Sequence, residues 1–206
     1  MHLRDLVEGG TMPDQQTLAV YDRMADAYGA LERADPSDHY LAFEAAMVPG
    51  ARVLDLGCGP GSSSARLAAA GFDVLAVDGS SEMVSRAGSR PGVTARQGLF
   101  DDVRGFGEFG GIWASFSLLH ASRADFPRHL ADLHAASAKD APFGLGMKLG
   151  RGEAIDELGR FYTFYTEAEL RRHLSDAGFM PGASWHGRQQ GLAGTSEPWI
   201  FLLSHA

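Results

Sequence analysis

The chain has 206 residues, 45% of them hydrophobic, which is enough for one α/β domain with a large core and too few for two comfortable ones. Its 26 acidic residues exceed its 18 Lys and Arg, a net charge of −8, which leaves no clustered basic surface to neutralise phosphates and favours a small-molecule substrate over nucleic acid. A single cysteine excludes an intrachain disulfide and a multi-cysteine metal site, no apolar run approaches the roughly 20 residues that span a bilayer, and residues 1–10 are too charged for a signal peptide, so a cytoplasmic protein is expected.

Residues 1–13 show no periodicity and read as a loose arm. Over residues 17–32, Leu18, Tyr21, Met24, Ala25, Tyr28 and Leu31 recur at helical spacing, with Asp22, Arg23 and Asp26 on the other side. Tyr21 and Tyr28, seven apart, share a face. A break at residues 34–37 precedes a second helix over 38–47 and a Pro49-Gly50 turn. Residues 52–56 form a short apolar run typical of a strand buried on both faces. Gly57, Gly59 and Gly61 follow, then a helix over 62–70 and a second strand, Val74-Leu75-Ala76-Val77, ending on Asp78. A helix from Ser81 stops at Ser89-Arg90-Pro91-Gly92. Strands are predicted over 93–97, 112–116 and 143–149, with a helix over 125–138. Residues 150–165 read as a loop. Thr166-Glu167-Ala168-Glu169 is a capping box that opens the last long helix, closed at Gly178. Residues 183–188 and 199–204 would finish the sheet as a hairpin around a loop at 191–198. Alternating strands and helices imply right-handed crossovers and a mostly parallel sheet, without repeat or linker.

The run Asp55-Leu56-Gly57-Cys58-Gly59-Pro60-Gly61 decides which nucleoside cofactor fits. A dinucleotide fold requires G-x-G-x-x-G, and the last position here is Ser62. No Tyr-x-x-x-Lys pair is present either, which disfavours an NAD-dependent oxidoreductase. The register is D-x-G-x-G-x-G, followed by Asp78-Gly79-Ser80-Ser81-Glu82-Met83. In these motifs the chain resembles the class I S-adenosylmethionine-dependent methyltransferases, from about Leu18 to the C-terminus. The resemblance implies a doubly wound, Rossmann-like seven-stranded sheet, parallel except for an antiparallel last strand. It also implies that residues 14–206 form one methyltransferase domain, with residues 14–48 as a helical lid.

The same resemblance assigns the cofactor residues. Asp55 and the loop of Gly57, Cys58, Gly59 and Gly61 would hold the methionine part, and Asp78 the ribose, whose diol suits a carboxylate acceptor. Cys58 reads as a small packing residue and not a nucleophile. Gly79, Leu99, Phe100 and Asp101 would frame the adenine. Asp101 is shifted from the position of the family's usual acid, so either it reads the adenine edge or Leu99 and Phe100 only sandwich the ring. Met83 would pack on the adenine or in the core. Phe116 and Ser117, in Ser115-Phe116-Ser117-Leu118-Leu119-His120, match the segment after the fourth strand that faces the methyl. Gly110 and Asp140-Ala141-Pro142 depart from the family pattern, away from the site.

His120 is the catalytic candidate, as a general base if the nucleophile starts protonated, or else a histidine that caps the loop. Tyr21 is placed with the cofactor and Tyr28 with the substrate, with amphipathic packing as the alternative for both. Lys148, Arg160, Tyr162 and Tyr165 suggest an anionic or carboxylate-bearing acceptor, unless Glu153, Asp156 and Glu157 pair that stretch with itself. His39, His129, His134, His173 and His186 lack metal-ligand spacing and read as surface or core residues, and no metal site is expected. The expected activity is methyl transfer from S-adenosylmethionine, leaving S-adenosylhomocysteine, to N, O or S of a small molecule. Partnership with nucleic acid or membrane is not expected, and the oligomeric state is left open. The competing reading is a non-catalytic protein that binds the same ligand and acts through protein contacts.

Overall fold

The computed structural model describes residues 12–29, 36–190, 194 and 196–206, with the side chains of 12–14, 189 and 190 excepted. The arm expected over 1–13 and the end of the helix expected over 17–32 therefore lie largely outside the described residues, as does part of the 191–198 loop.

The chain opens with helices α1 (Met12–Arg23), α2 (Ala25–Gly29) and α3 (Asp38–Ala46). There follow β1 (Arg52–Leu56), α4 (Ser62–Ala69), β2 (Asp73–Asp78), α5 (Ser81–Gly88), β3 (Val93–Gln97), β4 (Gly111–Ser115), α6 (Phe126–Ala135) and β5 (Pro142–Lys148). A small hairpin, β6 (Gly152–Ile155) and β7 (Phe161–Phe164), precedes α7 (Glu167–Asp176), β8 (Met180–Gln190) and β9 (Ser196–His205). The main sheet has seven strands in the order β3-β2-β1-β4-β5-β9-β8. Strands β1 to β5 run parallel, and β9 is antiparallel to both β5 and β8. Between β1 and β4 the connections depart to opposite sides, and the crevice at the carboxyl ends of those strands is where such sheets bind ligands.

Period-two alternation assigns the faces. On β1, Leu54 and Leu56 join Ile112, Ala114, Phe143 and Leu145 in the core beneath α6 and α7, while Val53 joins Trp113, Phe43, Leu67 and Phe201 beneath α3 and α4. Asp55 is in phase with Val53, so it is directed toward α4. Gly110 lies just before β4, and a Cβ there would lie 2.9 Å from the Cβ of Ala51.

The Thr166 capping box forms as expected: Thr166 N–H donates to Glu169 at 2.8 Å, and Glu169 N–H donates to the Thr166 hydroxyl at 3.3 Å. Two expectations change. The single helix over 17–32 is interrupted at Met24, between α1 and α2. The stretch read as a loop at 150–165 is the β6–β7 hairpin, paired from Gly152 opposite Phe164 to Ile155 opposite Phe161. Its outer strand is exposed along its whole length, so no apolar alternation marks it in the sequence.

Candidate active site

A cavity of about 830 Å³ opens at the carboxyl ends of β1, β2, β3 and β4. Its floor is the glycine turn. Gly57 has φ +71°, and a Cβ there would lie 2.2 Å from the Cβ of Ser117, so only glycine lets the loops after β1 and β4 meet. Gly61, at φ +82°, has Ala87 of α5 within 2.7 Å of where its Cβ would be; it packs the turn against that helix and is not a cavity wall.

The N–H groups of this turn are committed inside the protein. Gly57 and Cys58 both donate to the Val77 carbonyl at 2.7 and 3.0 Å, Gly59 donates to Asp78 at 2.9 Å, and Gly61 to the Cys58 carbonyl at 3.1 Å. The N-terminus of α4 is met by Asp55, which accepts the Ser64 hydroxyl at 2.5 Å. A phosphate therefore finds neither a ring of N–H donors nor a helix terminus free of negative charge. Asp55 is 2% exposed and does not line the cavity; burial lifts its carboxyl to about 7, with the Ser64 hydrogen bond acting in the opposite direction. It fixes the turn to α4 from behind. Cys58 is also absent from the walls, and its thiol donates to the Gly59 carbonyl at 3.4 Å. Burial pushes its pKa up, which removes it as a thiolate.

Asp78 is a wall residue. One oxygen accepts Gly59 N–H and the other Ser80 N–H, each at 2.9 Å, and both retain lone pairs for a ligand. Burial raises its pKa, opposed by those hydrogen bonds. Gly79 follows it beneath α1, where a Cβ would lie 2.6 Å from Leu18 Cδ2. Met83, Leu99, Phe100 and Asp101 complete this end. Asp101 does not stand free: Arg128 of α6 donates to it at 2.5 Å and to Asp125 at 3.2 Å. His129, expected as a surface or core residue, lines the cavity beside them, its ring edge-on to Phe100 at 5.5 Å.

The loop after β4 builds the opposite end. Phe116 adopts φ +58°, uncommon for a side chain of its size, and its N–H donates to the Gly146 carbonyl at 3.0 Å. Ser117 donates to the Leu56 carbonyl at 2.6 Å. His120 then contacts two further elements. Its Nδ1 is 2.5 Å from the Phe161 carbonyl of β7, and its Nε2 is 2.8 Å from the Tyr21 hydroxyl of α1. A carbonyl only accepts, so Nδ1 carries the proton. Burial lowers the His120 pKa to about 4, with the Phe161 carbonyl opposing, so the ring is neutral and Nε2 accepts from Tyr21. The Phe161 N–H is held by Thr17 Oγ1 at 3.0 Å, one turn before Tyr21 on α1. Tyr28 also reaches the cavity and meets Tyr21 edge-on at 5.6 Å.

Lys148, Arg160, Tyr162 and Tyr165 are not among the walls. Arg160 is 3% exposed and forms a two-pronged pair with Asp156 at 2.7 and 2.9 Å. Lys148 pairs with Glu197 and lies over the Tyr162 ring, which also has His120 4.7 Å away between centroids. Tyr165 is fully buried against Phe126. Lys148, at the end of β5, thus does not reach the cavity. The walls that sequence reasoning missed are Gln15, Thr17 and Leu18 of α1, Gln97, and Asp125, Arg128 and His129 around the start of α6. The i, i+3, i+4 spacing of the last three was a usable signal, as was the place of Leu18 on the apolar face shared with Tyr21; Gln15, Thr17 and Gln97 carry none.

This sheet order, glycine turn and acid define a class I methyltransferase fold, and residues 53–140 match the family model of the methyltransferase domain. That stretch is similar to such a domain. Among curated relatives, YqeM of Bacillus subtilis is 41% identical over 69 residues, covering 33% of this chain and 28% of that protein. An uncharacterized methyltransferase of Synechocystis is 34% identical over 110 residues, 52% of each chain. The matches thus span from about a quarter to about half the length of these relatives. The fold is also that of 1,6-didemethyltoxoflavin-N1-methyltransferase of Burkholderia thailandensis, solved with its substrate and S-adenosylhomocysteine: TM-score 0.68, 22% identity, covering 95% of this chain and 90% of that one. Among the described residues no helix is long and apolar enough to cross a membrane.

Proposed function

We propose that the protein is an S-adenosylmethionine-dependent methyltransferase acting on a small molecule. The observation that carries this reading is the pairing of Asp78 with a glycine turn whose N–H groups are already spent. Such a turn suits close approach by a nucleoside without a pyrophosphate. The cavity walls carry Asp78, Asp101 and Asp125 against Arg128, an acidic excess that suits a cationic sulfonium.

When bound, the cofactor supplies a methyl group activated on a positively charged sulfur. Asp78 accepts the ribose hydroxyls, Met83, Leu99 and Phe100 flank the adenine, and the backbone of Gly57, Gly59 and Gly79 permits the approach. Phe116 and Ser117 form the wall toward the methyl. Helices α1 and α2 serve as a lid that excludes water and orients the acceptor, the effect that contributes most to a displacement of this kind, up to about 7–11 kcal/mol. Asp55 and Gly61 act indirectly, by holding the turn.

Thermal unfolding with added ligand tests the reading. Saturation at one hundred times its dissociation constant stabilises a native protein by about 2.7 kcal/mol. S-adenosylhomocysteine is expected to raise the midpoint and NAD to leave it unchanged. The reverse result overturns the assignment.

A further inference from the structure

We propose that His129 of α6 reads the adenine edge of the cofactor, its Nε2 accepting the 6-amino group, so that the site selects an aminopurine over a 6-oxopurine. The inference rests on the methyltransferase reading and adds to it a residue that sets base specificity, on a helix to which the sequence assigned no ligand role.

The path of the nucleoside leads to this helix. A ribose on Asp78 puts the base beside Gly79, Met83, Leu99 and Phe100, and the walls beyond that slot are Asp101, Asp125, Arg128 and His129. Phe100 meets the His129 ring edge-on at 5.5 Å, so the residue that flanks the base also abuts the imidazole. The Leu99 side chain has no polar atom to offer. Asp102 is spent within its own turn, where it accepts Leu99 N–H at 2.8 Å.

Burial separates the remaining candidates. Asp101 and Asp125 both take the Arg128 guanidinium, at 2.5 and 3.2 Å, and their side chains are 61% and 51% exposed. Water satisfies such carboxylates when the base presents the wrong edge, so a bond to them discriminates weakly. His129 is 6% exposed, and among the described residues no hydrogen bond holds its ring, Nδ1 being buried without a partner. A polar group unpaired in such surroundings is costly, so a ligand that pairs with the ring gains what one that does not pair forfeits.

The charges around the ring set its state. Burial lowers the His129 pKa, the Arg128 cation acts in the same direction, and Asp101, Asp125 and Asp132 oppose them, so the ring is neutral at slightly alkaline pH. Nδ1 lies 3.5 Å from Asp101 Oδ1, beyond a hydrogen bond, and the carboxylate there favours the tautomer that carries its proton on Nδ1. Nε2 is then a bare acceptor. The 6-amino group of adenine donates to it, whereas the 6-oxygen of hypoxanthine sets lone pair against lone pair. Asp101 thus acts through His129 as a positioning residue, and Arg128 keeps that carboxylate in place.

Calorimetry compares S-adenosylhomocysteine with its 6-oxo analogue, S-inosylhomocysteine. A protein that binds neither loses the methyltransferase reading and this inference together. The wild-type protein is expected to bind the adenine compound about tenfold or more tightly, and His129→Leu, checked for an unchanged melting midpoint, to bring the two within about threefold by weakening the adenine compound. A second measurement requires no variant. The 15N spectrum of His129 in the wild-type protein is expected to show protonated Nδ1 and bare Nε2, with the Nε2 resonance moving upfield when S-adenosylhomocysteine binds and staying in place with S-inosylhomocysteine. Equal affinities in the wild-type protein, a preference that survives in His129→Leu as it would if Asp101 read the base directly, an Nε2–H tautomer, or an Nε2 resonance indifferent to the adenine compound each overturns the proposal while leaving the cofactor assignment intact.

Discussion

Asp55 and Asp78 look alike in sequence, each an acid at the carboxyl end of a buried strand, and the structure gives them opposite tasks. Asp55 is in phase with Val53, so its carboxylate goes beneath the sheet to Ser64. Asp78 ends β2 where the strand turns, so its carboxylate stays on the cavity side and holds the N–H of Gly59 and of Ser80. Both of its oxygens act as acceptors at once. Asp78→Asn therefore sets an NH2 group against one of two donors and removes the charge that a ribose diol would share. Charge-assisted hydrogen bonds contribute about 1.5–3 kcal/mol, so the variant is expected to bind S-adenosylhomocysteine roughly 10–100-fold more weakly, as read by calorimetry. An unchanged affinity would place the ribose elsewhere. Asp78 and the glycines were legible from spacing alone, because backbone sterics act within a few residues. Arg128 and His129 were not, because they become wall residues only when α6 folds against the segment after β3.

At the scale of elements, α1 lies across the cavity and is held on both sides. Asp22 accepts the hydroxyl of Ser80, the N-cap of α5, at 2.6 Å, and Thr17 and Tyr21 attach it to β7 and to the loop after β4. Leu18 covers Gly79, the residue after the proposed ribose acid. Under the proposed lid role, a ligand bound at Asp78 is released when α1 yields. Asp22→Ala removes one attachment without touching a cavity wall, so it is expected to speed release of S-adenosylhomocysteine several-fold in stopped-flow fluorescence with little change in melting midpoint. An unaltered release rate would mean that α1 is not the gate. The amphipathic pattern of Leu18, Tyr21 and Tyr28 identified this helix in the sequence, whereas its attachment to β7 was invisible. That hairpin has an exposed outer strand, and its position is set by the burial of Tyr162 and Thr163 on the inner strand and by hydrogen bonds with Thr17, His120 and Ala121.

Across the whole molecule, two buried titratable groups near the carboxyl edge oppose each other. His120 drops from its usual 6.5 to about 4, so below pH 6.5 the unfolded chain binds a proton that the native state refuses, and stability falls on acidification. Asp55 rises from its usual 3.8 to about 7, so between these values the native state keeps a proton that the unfolded chain has lost, and stability falls as pH increases. The two slopes overlap between pH 4 and 6.5 and partly cancel. Replacing His120 by Gln removes one of them. Urea unfolding is expected to show the variant more stable relative to the wild-type protein at pH 5 than at pH 7.5; a pH-independent difference would mean that His120 titrates normally in the native state. The sequence by itself determined the alternation of strands and helices, the crevice between β1 and β4, and the glycine turn with its acid, because these follow from periodicity, breakers and local sterics. Only the tertiary structure decided which charges survive near the cavity. Whether Arg160 pairs with Asp156 was open in the sequence and is settled by the fold, Lys148 reads as a free cation until Glu197 is folded against it, and Tyr21 and His120, 99 residues apart, become one hydrogen-bonded pair only through the packing of α1 and β7.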